Sequence, residues 1–216
     1  MKTDIKRWGL PRALYIRLMW LLNRALGLNL YWVTRRALTP SSAQGADTRT
    51  VIATRETLAP YFDDPAYAHS ERYVTEAFAR GDVCVAIFAE GRLAGYGWVA
   101  YKPVPHQGRI WVEFAPGQRY TTNSFTHPDF RGRHLRGSKG VLDALDRKHG
   151  ATHSLSAIHT HNFASLRADA RNGARVVGLA GYVEVFGRVM AFRSAGARNI
   201  GFRFHCPDGR QDSLDS

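Results

Sequence analysis

The stretch Ser124-Phe125-Thr126-His127-Pro128-Asp129-Phe130-Arg131-Gly132-Arg133-His134-Leu135-Arg136-Gly137 decides how the chain is read. Leading into it, Tyr120, Thr122, Ser124 and Thr126 alternate as a strand does. The strand must stop at Pro128, which has no amide proton for a ladder and drives His127 out of the helical region. Beyond a basic, Gly-bearing turn, Val141, Leu142, Ala144 and Leu145 recur at helical spacing and predict a helix from about Arg136 to His149. A helix opening there presents unpaired amides and the positive end of its dipole, flanked by Arg131, Arg133 and Arg136. An anion such as a phosphate is its expected occupant. The same residues also suit a plain turn with its arginines in water, and spacing alone leaves both readings open.

From Ala151 to Thr160 the chain alternates as a short buried strand, and Asn162-Phe163-Ala164-Ser165-Leu166-Arg167 opens a second helix that ends at Gly173. At this point the sequence resembles the GNAT superfamily of acyl-CoA-dependent N-acyltransferases. The residues that carry the resemblance are Pro128, Phe130, Arg131, Gly132, Arg133 and Leu135, followed by Asn162, Ser165 and Gly173. The chain departs from the family at His134, usually a second glycine, and at Arg136, usually Gly or Ala. It departs again at Asp169, which stands at the offset of a tyrosine that many members carry. The resemblance spans residues 50 to 195 or so.

What the resemblance implies is an α/β (α+β) fold, a mixed and mostly antiparallel central sheet flanked by helices. It implies that the strand from Tyr120 to His127 pairs with the pantetheine of an acyl-CoA near Phe125 and Thr126. Arg131, Gly132, Arg133, His134, Leu135, Arg136 and Gly137 would then hold the diphosphate, and Asn162 the pantetheine arm or a bridging water. The donor would be acetyl-CoA, a longer acyl-CoA or an acyl-carrier protein, and the acceptor an amine. Transfer from a thioester needs the amine deprotonated, the carbonyl polarised and the leaving thiolate protonated. A base in this family is often a Glu on the central strand or its neighbour. Glu113 is the nearby carboxylate before the turn, and it reads equally well as a solvated strand residue. His127, His134, His159 and His161 lie close in sequence, and a neutral imidazole is a competent base. His159-Thr160-His161 lacks a third ligand, so no metal is expected. The alternative function class is a non-catalytic module of the same fold that holds membrane or nucleic acid by its charge.

The chain of 216 residues, 44% of them apolar, can bury one core of ordinary size. A net charge of +12 and a pI near 10.2 imply acidic partners: nucleic acid, anionic lipid or the phosphates of a cofactor. Two cysteines, Cys84 and Cys206, make no disulfide framework and fit a reducing cytoplasm.

Residues 1–38 read as a basic amphipathic helical segment, 39–48 as a small-residue linker, 49–205 as the acyltransferase domain and 206–216 as a disordered polar tail. Pro11 suits a first helical turn, and nothing breaks the helix from Arg12 until Gly27. Arg12, Arg17, Asn23 and Arg24 share one arc, with Ile16 and Trp20 on the same side. Leu14, Leu18, Leu21, Leu22, Ala25 and Leu26 fill the other. The interrupting arginines argue against a signal peptide, and about 22 Å of helix falls short of a hydrocarbon core of about 30 Å. Such a helix fits an anionic bilayer surface, the protein's own core or a second subunit of a homodimer, and a membrane setting would make the acceptor lipid-like. Between these regions the patterns predict a strand at Val51–Thr54, a helical turn at Leu58–Phe62 and a helix at Ala66–Arg80. Strands follow at Asp82–Ala89 and Arg92–Tyr101, joined at Glu90-Gly91, then at Arg109–Phe114, Arg175–Val185 and Arg188–Phe192.

Overall fold

The computed structural model describes residues 2–39, 48–62, 64–67, 70–133, 139–207 and 211–213. Helix α1 (Lys2–Trp8) breaks at Gly9, and α2 (Leu10–Leu26) starts with Pro11 in its first turn and ends where Gly27 caps it in the left-handed region. Strand β1 (Asn29–Ala37) follows immediately. The helical segment expected over residues 1–38 therefore ends at Leu26. Asn29, Tyr31 and Val33 point into the protein while Trp32 points out, which is the period of a strand.

Next come β2 (Thr48–Ala53), the short α3 (Arg55–Leu58) and α4 (Glu71–Arg80). Helix α4 begins later than the periodicity predicts because Ser70 caps it, its hydroxyl accepting the Tyr73 amide at 3.2 Å. Strands β3 (Val83–Ala89) and β4 (Arg92–Ala100) form the predicted hairpin. Glu90 and Gly91 both carry positive φ, as a two-residue turn matching the strand twist requires. Then β5 (Val104–Gln107), β6 (Ile110–Glu113) and β7 (Gln118–Thr126) lead to a 3-10 turn at Pro128–Phe130.

The helix expected over Arg136–His149 is shorter than its pattern. Its described part opens as 3-10 at Lys139–Leu142, around Gly140, and only Asp143–Lys148 (α5) is α-helical. Strand β8 (His153–His159), helix α6 (Phe163–Arg171), and strands β9 (Arg175–Val185) and β10 (Arg188–Arg193) agree with the sequence reading. Helix α7 (Ala195–Asn199) and β11 (Arg203–His205) were not foreseen. Nor was β12 (Gln211–Ser213), which runs parallel to β10 where a disordered tail was expected.

Contacts divide the chain into two compact units. The first comprises Met1–Arg36, Pro103–Ala115 and Leu155–Ser216. Its strands run in the order β12-β10-β9-β1-β8, with a smaller antiparallel sheet β11-β6-β5. Strand β1 pairs antiparallel with β9, setting Tyr31 opposite Ala180. Tyr31, Tyr182 and Phe204 form its aromatic core, with Val33, Leu155 and Val189 fully buried. Helix α7 lies so close on β9 that a Cβ on Gly196 would stand 1.9 Å from the Val177 carbonyl oxygen.

The second unit comprises Ala37–Lys102 and Pro116–Ser154, with strand order β7-β4-β3-β2, antiparallel throughout. Its core is Leu58, Val74, Ala77, Cys84, Leu93 and Trp98, the Trp98 ring meeting Tyr73 and Phe78 edge-on. The same unit holds a buried ion pair: Arg119 donates to Asp146 at 2.5 Å, and the Tyr101 hydroxyl donates to the same carboxylate at 2.8 Å. Asp146 is the buried face of α5, so this pair fixes the helix to its unit.

Candidate functional site

In the second unit β7 leads directly into the basic turn. Its register against β4 is regular from Thr126 to Ser124, opposite Gly95 to Gly97. Beyond that, Gly97 to Val99 on β4 face Ser124 to Thr121 on β7, so β7 carries one extra residue, a bulge at Thr122–Asn123. A bulge takes a backbone group out of the ladder and re-aims it. Phe125 lies over Tyr96 with ring centroids 5.2 Å apart, and the Thr126 carbonyl accepts a hydrogen bond from Nε of Arg131 at 3.1 Å.

The turn itself is built on Phe130, which is 1% exposed and packs on Ala89 and Ala94. The guanidinium groups of Arg92 and Arg133 cover its ring at 5.1 and 5.2 Å. The His127 amide donates to the Ala94 carbonyl, and its Nδ1 accepts the Asp129 amide. The amides of Arg131 and Arg133, expected to face an anion, donate instead to the carbonyls of Pro128 and Phe130, and the Phe130 amide donates to the His127 carbonyl. The Arg131 and Arg133 amides are thus spent on closing the turn, and the positive charge at its surface comes from side chains. Arg133 donates to Glu90 at 2.6 Å, both groups more than half exposed. Gly132 has φ of +80°, and no atom of the described residues stands within 4 Å of where a Cβ would be. His134, Leu135, Arg136 and Gly137 lie outside the described residues.

Two predicted site residues fall in the first unit. Asn162 caps α6: its side-chain oxygen accepts the Ser165 amide at 3.1 Å, while its own amide donates to the His159 carbonyl. Glu113, the candidate base, is held across the small sheet, where Nε and Nη2 of Arg203 donate to one oxygen at 2.9 and 2.6 Å. It stands in a cross-strand ion pair with Arg203. Asp169 accepts the Thr34 hydroxyl of β1 at 2.5 Å.

His106 and His159 lie against Tyr31 at centroid distances of 5.0 and 4.2 Å. Burial holds both imidazoles down to about 4, with the charge of His159 adding to the effect on His106 and that of His161 to the effect on His159. Both are neutral near pH 7. The second unit's Cys84 is fully buried, and burial pushes its thiol up to about 12.

No protein-family model matches the sequence, and no curated protein matches it. Among solved structures, the chain is similar to a protein described as a GNAT-family acetyltransferase from Novosphingobium aromaticivorans. The two share 18% identity at a TM-score of 0.49, over 72% of this chain and 63% of that one. A Drosophila protein matches at 13% identity and a TM-score of 0.50, over 81% of this chain and 58% of that one. A protein from Salmonella typhimurium described as an acetyltransferase, solved with its cofactor acetyl-CoA, matches at 14% identity and a TM-score of 0.41, over 76% and 95%. This chain spans less than two thirds of the length of the first two, and identities this low speak to fold alone.

The structure gathers Phe125, Thr126, Arg131, Gly132 and Arg133 in one unit, and sets Glu113 and Asn162 in the other. Sequence reading missed the bulge at Thr122–Asn123, which leaves no residue-type signature. It also missed Glu90 as the partner of Arg133, although a hairpin tip beside a basic turn was visible in the pattern.

Proposed function

We propose that this chain is an N-acyltransferase that moves an acyl group from acyl-CoA directly to an amine. The observation that carries the reading is a bulged strand running straight into an arginine-faced turn, β7 into Pro128–Arg133. The bulge supplies a backbone group outside the β4 ladder, the kind of donor that polarises a thioester carbonyl. Arg133 supplies charge to a phosphate at little cost. Its ion pair with Glu90 is exposed and worth about 0.2–1 kcal/mol, so a diphosphate displaces it readily. The amine nitrogen attacks the thioester carbon, the C–N bond forms, the C–S bond breaks, and the proton lost by the amine ends on the departing thiolate. Cys84 is unsuited to an acyl-enzyme step, being buried and protonated.

The test measures free-thiol release from acetyl-CoA and longer acyl-CoAs over a panel of amines, beside calorimetric CoA binding. Arg133→Ala should weaken CoA binding roughly tenfold, as expected for one charge-assisted contact. Glu90→Gln, which frees Arg133, should tighten it. Unchanged CoA affinity in both folded variants would remove the diphosphate from this turn. Absence of thiol release with CoA still bound would favour the non-catalytic use of the fold.

A further inference from the structure

Helix α2 docks by one face and leaves the other bare. Ala13 and Met19 are buried, Ile16 and Leu22 are half-buried, and the Tyr15 hydroxyl donates to Thr160 at 2.7 Å. Opposite them Leu10, Leu14, Leu18 and Leu21 fall within an arc of about 80° at 3.6 residues per turn. These leucines are 54%, 55%, 52% and 55% exposed. The sequence pattern is thus half inverted: Ile16, on the polar arc, faces the protein, and most of the leucine arc faces out. Arg17 and Arg24 border the leucine stripe along one side. At the helix end the Glu184 amide donates to the Gly27 carbonyl at 3.3 Å, which sets the β9–β10 hairpin tip beside it. Phe186 on that tip is 99% exposed, and Trp20 is 54% exposed. A contiguous stripe of this kind marks an interaction site, whereas scattered surface leucines do not.

Charge selects the occupant. Helix α2 contains no acidic residue, and the first 38 residues hold eight Lys and Arg against Asp4 alone. A second copy of this chain would bring the same arginines to the same stripe, with no acid on either helix to pair them. Nucleic acid would take the cations and leave the leucines in water. An anionic bilayer surface satisfies both. Among the described residues no helix is long and apolar enough to cross a membrane, so α2 would lie in the plane of the surface.

We propose that α2 docks this protein on an anionic membrane surface, its leucine stripe sunk among the acyl chains and Arg17 and Arg24 reaching up to lipid phosphates. The proposal is independent of the acyl-transfer reading. It is tested by co-sedimentation of the full chain with phosphatidylcholine vesicles, with and without phosphatidylglycerol, across a salt series. Light scattering of the lipid-free protein accompanies it. The variants are Arg17→Gln/Arg24→Gln and Leu14→Gln/Leu18→Gln, all at exposed positions, with melting curves to verify the fold. Binding should require phosphatidylglycerol and weaken with salt. The arginine pair should bind roughly 25-fold more weakly, about fivefold per cation. The leucine pair should lose at least about tenfold. Full-length protein left in the supernatant with phosphatidylglycerol vesicles at low salt overturns the proposal. So does a folded leucine variant that binds like the parent. A lipid-free dimer that the leucine variant splits would assign the stripe to a second copy instead.

Discussion

Acidification should unlock the first unit through its buried histidines. His106 and His159 stay neutral against Tyr31 because burial lowers each to about 4, whereas in the unfolded chain each titrates near 6.5. Between those values the unfolded state binds protons that the native state refuses. The stabilisation is therefore complete above pH 6.5 and is lost as pH falls toward 4. At 1.36 kcal/mol per pH unit, His106 alone accounts for about 3 kcal/mol. For a chain of this length that corresponds to roughly 6–12 °C in Tm. Thermal melts of the parent and of His106→Phe across pH 7 to 4 isolate the effect, since acidic groups common to both cancel. Phenylalanine keeps a ring against Tyr31 and Phe204, which His106 meets at 5.0 and 4.9 Å. The parent should lose stability more steeply than the variant over this range. Parallel curves for the two proteins would refute the assignment of a buried neutral imidazole.

Two further substitutions test other parts of the molecule. Asp146→Ala strands the charge of Arg119, only 7% exposed, and should cost about 3–5 kcal/mol in a denaturant melt; a variant as stable as the parent would show that the pair holds nothing. Asn162→Ala removes the α6 cap and should lower stability by about 1 kcal/mol while transfer kinetics stay the same. Slower turnover at undiminished stability would instead place Asn162 against the donor.

The parts of the fold legible in the sequence were those whose signals are local. Strands β9 and β10 are rich in Val with Tyr and Phe, and they close at Phe186-Gly187, both with positive φ. Strand β7 stops before Pro128 for want of an amide proton. Strand β1 was lost because Leu28–Arg36 continues the basic, aromatic composition of α2, and its partner β9 lies far along the chain. Leu30, Tyr31, Trp32 and Val33 are all apolar, so the outward turn of Trp32 between buried Tyr31 and Val33 left no alternation in the sequence. Within the candidate site, the basic turn was readable but the occupancy of its groups was not. Glu113 meets an arginine ninety residues downstream, and Asp169 meets a threonine 135 residues upstream. No window of sequence contains such pairings.

The position of β1 also sets a schedule for biosynthesis. Tyr31 pairs with Ala180, so β1 leaves the ribosome about 150 residues ahead of the strand that completes its ladder. At 5–20 residues per second that is a wait of roughly 8–30 s. The second unit's strands β2, β3 and β4 follow one another along the chain and can pair meanwhile. Throughout the wait the nascent chain exposes an apolar strand joined to a leucine-striped helix. That makes its first forty residues the segment that chaperones, or a nearby membrane, would meet before the fold exists.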